Sequence, residues 1–216
     1  MPHFDCSAIL FDLDGVLVDS TRSVERQYRR WSEENGLDPA KVLKMSHGVR
    51  AVEVVHAVAP HLDAVKETRK IEQWEAHDRD GVNVMPGAVD LVRSLPLDRW
   101  CVVTSGTHSL ATTRLTWAGI PIPRVFVTAD DVEKGKPDPA PYLKGALLLG
   151  FQPERCLVIE DAPAGIKSAQ AGGMKVIALT STFAASELQP ADATIASLTQ
   201  IRVDVTSAGE LHISVA

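Results

Sequence analysis

At 216 residues, with hydrophobic residues at 45% and charged residues at 23%, the chain can bury one sizeable core or a main domain plus a small insert, and disordered and fibrous classes are excluded. A formal charge of −6 without clustered Lys or Arg argues against a nucleic-acid partner, and no run approaches the roughly 18 apolar residues that read as a membrane span. The three scattered cysteines, Cys6, Cys101 and Cys156, form no CxxC pair and read as core residues in a reducing compartment; with no leader-like pattern in Met1 to Asp5, the expectation is a cytoplasmic monomer.

The apolar run Ala8-Ile9-Leu10 predicts a buried strand that stops at Phe11-Asp12-Leu13-Asp14-Gly15. Residues two apart on a strand share a face, so Asp12 and Asp14 can converge on one ion or one phosphate. Two close acids at a strand end are costly to hold unless a cation or a reaction uses them.

From Ser20 to about Gly36 the pattern is helical, with Ser20 or Thr21 as N-cap and Val24, Tyr28 and Trp31 at helical spacing. Helices follow over Pro39 to Met45, Ala51 to Ala59 and Leu62 to Asp80, with Ser46-His47-Gly48-Val49-Arg50 as a polar interruption. Four short helices without a strand predict a small helical unit, residues 20–81, inserted into a core made of 1–19 and 82–216.

The rhythm then becomes strand, turn, helix. Met85-Pro86-Gly87 opens a helix to Leu95, and Trp100 to Thr104 is a strand followed by Ser105-Gly106-Thr107 and a helix to Ala118. Arg124 to Thr128 is a short strand, Gly135-Lys136-Pro137-Asp138-Pro139 a loop, and Pro141 to Leu149 a helix. Arg155 to Ile159 is a strand ending in Glu160-Asp161, Pro163 to Ala171 a helix, and Lys175 to Thr180 a strand; the tail gives a hairpin of Ile201 to Val205 and Leu211 to Val215. The fold class is therefore α/β, a Rossmann-like parallel sheet with an inserted helical cap.

Ligands of open parallel sheets bind beyond the carboxyl ends of the strands. Three strands here deliver Asp12 and Asp14, then Ser105, then Glu160 and Asp161 to that edge, with Lys136 from a loop on the same side. So many acids need a counter-charge, and an all-oxygen donor set suits Mg²⁺; the seven histidines show no zinc spacing. The chemistry that fits is phosphoryl transfer. Asp12 attacks phosphorus, Asp14 acts as general acid and then base, Lys136 offsets charge, Ser105 and nearby N–H groups hold phosphoryl oxygens, and Asp161 anchors the metal.

Asp12-Leu13-Asp14-Gly15-Val16, Thr104-Ser105-Gly106, Gly135-Lys136-Pro137 and Glu160-Asp161-Ala162-Pro163-Ala164-Gly165-Ile166 resemble, in order and spacing, the four motifs of the haloacid dehalogenase superfamily. Within it the chain is most similar to the beta-phosphoglucomutase-like branch and its sugar and polyol phosphatases. Ser46 to Arg50, Pro86 to Val89 and Pro139 to Gly145 are similar to stretches of 2-deoxyglucose-6-phosphate and glycerol-3-phosphate phosphatases. The resemblance implies a metal contact through the main-chain carbonyl of Asp14, phosphate binding that includes Gly106 and Lys136, and substrate contacts from His47 and Arg50 in the cap. It leaves Glu160 as either an added ligand or a supporting residue.

The mutase of that branch carries a histidine where this chain has Val24, which favours hydrolysis of a small phosphorylated metabolite over phosphoryl return. A dehalogenase would lack the second acid, Asp14. From another class, a phosphometabolite-binding protein without turnover would have no reason to keep both acids.

Overall fold

The computed structural model describes residues 2–216. In chain order its elements are β1 (His3–Cys6), β2 (Ala8–Phe11), β3 (Val18–Asp19), α1 (Thr21–Glu34), α2 (Pro39–Ser46), α3 (Ala51–Val58), α4 (Ala64–His77), β4 (Asn83–Val84), α5 (Ala88–Ser94) and β5 (Trp100–Val103). There follow α6 (His108–Ala118), β6 (Phe126–Val127), α7 (Ala140–Leu149), β7 (Cys156–Glu160), α8 (Pro163–Ala171), β8 (Lys175–Leu179), β9 (Ala193–Ile195), β10 (Ile201–Val205) and β11 (Leu211–Val215).

Six strands form a parallel sheet in the order β6-β5-β2-β7-β8-β9. From β2 the chain builds outward through β5 and β6, then returns to place β7 on the other side of β2. Strand order therefore reverses at β2, and the crevice beyond its carboxyl end opens directly over Asp12.

The central strands are apolar throughout because both faces are covered. Along β2, Ile9 and Phe11 join a core shared with Leu91 of α5 and Leu115 of α6, while Ala8 and Leu10 join one shared with Tyr142 of α7 and Ile166 of α8. Each of the larger side chains contributes about 1.5–3 kcal/mol by leaving water. Phe11 also meets Trp100 edge to face at 6.2 Å between ring centroids.

Helices α1 to α4 carry a separate cluster that includes Tyr28, Trp31, Val55 and Ile71. The two chain crossings between this unit and the sheet pair with each other, Val18 with Val84 and Asp19 with Asn83. Ser20 does stand at the N-cap of α1, but its hydroxyl makes no capping bond, being directed to Asp14 instead.

The expected tail hairpin pairs Ile201 with Val215 through Val205 with Leu211. It gains a third strand, β1, which no pattern in the sequence predicts. The short β9 was likewise unassigned, and it closes the edge of the main sheet beside β8. No helix among the described residues is long and apolar enough to cross a membrane.

Candidate active site

The acids arrive where β2 and β7 end. Asp12 follows the buried strand directly and is itself buried, and Lys136 Nζ lies 2.7 Å from its Oδ1. That ammonium, 1% exposed, also donates to Glu160 Oε1 at 2.7 Å and to the carbonyl of Val103 at 3.0 Å. Its three donors are thus committed, and it braces the Asp12 carboxylate from behind. Burial would discharge such a lysine, but Asp12 and Glu160 hold its pKa above the ordinary value. Asp12 is pushed up to about 7 by burial, with Glu160 and Asp14 adding to the push and Lys136 opposing it.

Asp14 turns the other way. Its Oδ1 accepts the Ser20 hydroxyl at 2.6 Å and its Oδ2 the Arg114 Nη1 at 2.7 Å. Arg114, on α6 and 4% exposed, also reaches Glu75 Oε2 of cap helix α4 at 3.0 Å. Burial drives Glu75 to about 7 against the pull of Arg114. Neither Arg114 nor Glu75 was singled out in the sequence. The available signal was a charge on an apolar helical face, since Leu110, Ala111, Arg114 and Leu115 are the buried positions of α6 and Ile71 and Glu75 those of α4.

Asp12, Glu160 and Asp161 bring carboxylate oxygens within 4.8 Å of one another. Glu160, however, already serves four donors: Lys136 and the Tyr142 hydroxyl on Oε1, and the N–H groups of Asp161 and Ala162 on Oε2. That makes it the support of the loop that presents Asp161. Asp161 lines the cavity, raised well above the usual carboxylate range by burial and by its neighbours Glu160 and Asp12. Gly15, at φ +81°, permits this approach, because a Cβ there would lie 1.9 Å from Asp161 Oδ2. This cluster of buried, hard oxygen donors fits a divalent cation such as Mg²⁺.

Ser105 and Gly106 line the same cavity, the Ser105 hydroxyl donating to the cap carbonyl of Gly48 at 3.0 Å and the Gly106 N–H to Thr104 Oγ1 at 3.1 Å. His47 also lines it, edge-on to Phe183, and burial lowers its pKa. Arg50 does not belong to this lining. Although on the cap, it is buried, pairs with Glu53, and donates to the carbonyls of Val132 at 2.8 Å and Glu133 at 2.7 Å. Glu53 in turn accepts the N–H of Gly135 at 3.0 Å. The pair therefore grips the loop that carries Lys136, and Arg50 stands outside the cavity lining where a substrate contact is expected of it.

A parallel sheet with its acids at the carboxyl edge, under a helical cover, defines a capped α/β protein of the Rossmann-like class. The chain belongs to the haloacid dehalogenase-like hydrolases, whose family pattern matches residues 9–179. It is 41% identical over 213 residues to hexitol phosphatase A of Escherichia coli, covering 96% of this chain and 99% of that one. It is 35% identical over 230 residues to 2-deoxyglucose-6-phosphate phosphatase 2 of Saccharomyces cerevisiae, covering 94% and 92%. Among solved structures, beta-phosphoglucomutase of Clostridium difficile shares the fold at a TM-score of 0.79 and 20% identity, over 91% of this chain and 93% of that one.

Proposed function

We propose that this chain is a Mg²⁺-dependent phosphomonoesterase of small phosphosugars or polyol phosphates, acting through a phosphoryl group carried on Asp12. The observation that carries this reading is the opposed tethering of the two acids: Asp12 braced by Lys136, Asp14 held by Arg114 and Ser20, both lining one covered cavity.

Asp12 attacks phosphorus with the carboxylate oxygen that Lys136 does not hold. Asp14 protonates the departing alcohol, then takes a proton from the water that releases phosphate. Ser105 and the adjoining backbone hold phosphoryl oxygens, for which the Ser105 hydroxyl exchanges its bond to Gly48. Bound Mg²⁺ supplies charge neutralisation at the phosphoryl oxygens and at the crowded carboxylates. Residues 20–81 act as the cap that excludes water and chooses the leaving group, with Glu72, Glu75, His47 and Gly48 meeting the core or the cavity.

Val24 lines the cavity with an apolar side chain, so this position supplies no proton shuttle for returning phosphate to a sugar. Phosphate release from a panel of sugar and polyol phosphates by purified protein with Mg²⁺ tests the reading. Sugar phosphate isomerisation without release would indicate a mutase, and binding without either would indicate a retired site.

A further inference from the structure

We infer that the cap side of this cavity is a charge filter: it accepts phosphomonoesters whose remainder is uncharged and rich in hydroxyls, and it turns away those bearing a second anion. The inference rests on the phosphatase reading and narrows its substrate class.

The cations of the site are all paired with acids of the protein. Arg114 is the one Lys or Arg side chain lining the cavity among the described residues, and its charge is shared between two carboxylates, Asp14 at 2.7 Å and Glu75 at 3.0 Å. Lys136 stands behind Asp12, fully paired, and Arg50 is turned to the 132–133 carbonyls. A substrate's transferred phosphate has the nucleophile's metal-binding edge to meet it, but a second phosphate or a carboxylate has no such partner.

The charged groups that the cap offers are acceptors. Glu72 lines the cavity with Oε2 taking the Thr107 hydroxyl at 3.2 Å, and Glu75 lies beside Arg114. Sugar hydroxyls are donors that such carboxylates receive, while Val24, Val49 and Leu110 in the same lining face carbon. A second anion would lose its hydration next to these acids and find no donor charge in exchange. Burial raises both Glu72 and Glu75, so this wall solvates a carboxylate poorly.

The cleanest test compares a hexitol 6-phosphate with 6-phosphogluconate, which differ at the far end as a hydroxymethyl group differs from a carboxylate. With Mg²⁺-loaded full-length protein, kcat/KM is expected to favour the hexitol ester by about 100-fold or more, and sugar bisphosphates to be poor substrates. Equal rates on the two compounds would overturn the filter. No phosphate release from any compound, p-nitrophenyl phosphate included, would overturn the phosphatase reading and the filter with it. Glu72→Gln is expected to narrow the ratio about 10-fold; because Glu75 is buried against Arg114, Glu75→Gln is used alongside it. An unchanged ratio in both variants would remove these residues from the filter.

Discussion

Arg114 on core helix α6 and Asp14 at the end of β2 meet at 2.7 Å, and the other end of the same guanidinium holds cap residue Glu75 at 3.0 Å. One side chain thereby fixes the proposed acid/base and a wall of the cover together. Arg114→Ala leaves Glu75 buried without its partner and is expected to destabilise the protein by about 3–5 kcal/mol, measured by urea unfolding without substrate. Arg114→Lys keeps the charge but cannot span both acids, and is expected to recover stability better than kcat.

Lys136 directs its three donors to Asp12, Glu160 and the Val103 carbonyl, and on the proposed mechanism it braces the nucleophile. Lys136→Ala is expected to lower kcat by about 100-fold or more for every phosphate ester alike, because a misplaced Asp12 penalises the chemical step whatever leaves. Steady-state kinetics on an aryl phosphate and a polyol phosphate check this; a loss confined to KM would return Lys136 to substrate binding.

Arg50 is expected to act through the Lys136 loop. Arg50→Ala should lower kcat to a similar extent, about 10-fold, for p-nitrophenyl phosphate and for a sugar phosphate, because its donors hold the 132–133 carbonyls. A rise in KM confined to the sugar phosphate would restore direct contact.

Much of the site is legible in the chain because its acids follow apolar strands directly. Ala8-Ile9-Leu10 and Cys156-Leu157-Val158-Ile159 announce buried strands, so Asp12, Asp14, Glu160 and Asp161 fall at one sheet edge by topology alone. Arg114 and Glu75 are a different case: they lie inside helices α6 and α4, outside every motif, and only three-dimensional packing reveals that each occupies a buried face opposite the other. Arg50 looks like a surface charge in sequence, since its acceptors are backbone carbonyls more than eighty residues on. The strands β1 and β9 are hard to read because four and three residues give too little alternation, and the partner of β1 lies at the other end of the chain.

Glu75 also predicts how stability follows pH. Its carboxyl titrates near 4.5 when unfolded and at about 7 in the folded protein, raised chiefly by burial. The folded state then binds more protons between those values, so this group's penalty is absent below pH 4.5, grows as pH rises, and is complete above 7. Denaturation of metal-free protein at a series of pH values is expected to show Glu75→Gln gaining on the parent by up to about 3 kcal/mol across that window. A constant difference between the two proteins would contradict it.

The most direct measurement is chemical trapping of the proposed intermediate. Protein quenched in acid during turnover of a good substrate with Mg²⁺, then treated with hydroxylamine and digested, is expected to carry a hydroxamate on Asp12, and Asp12→Asn to carry none. A hydroxamate on another residue, or turnover by Asp12→Asn close to the parent rate, would contradict Asp12 as the nucleophile.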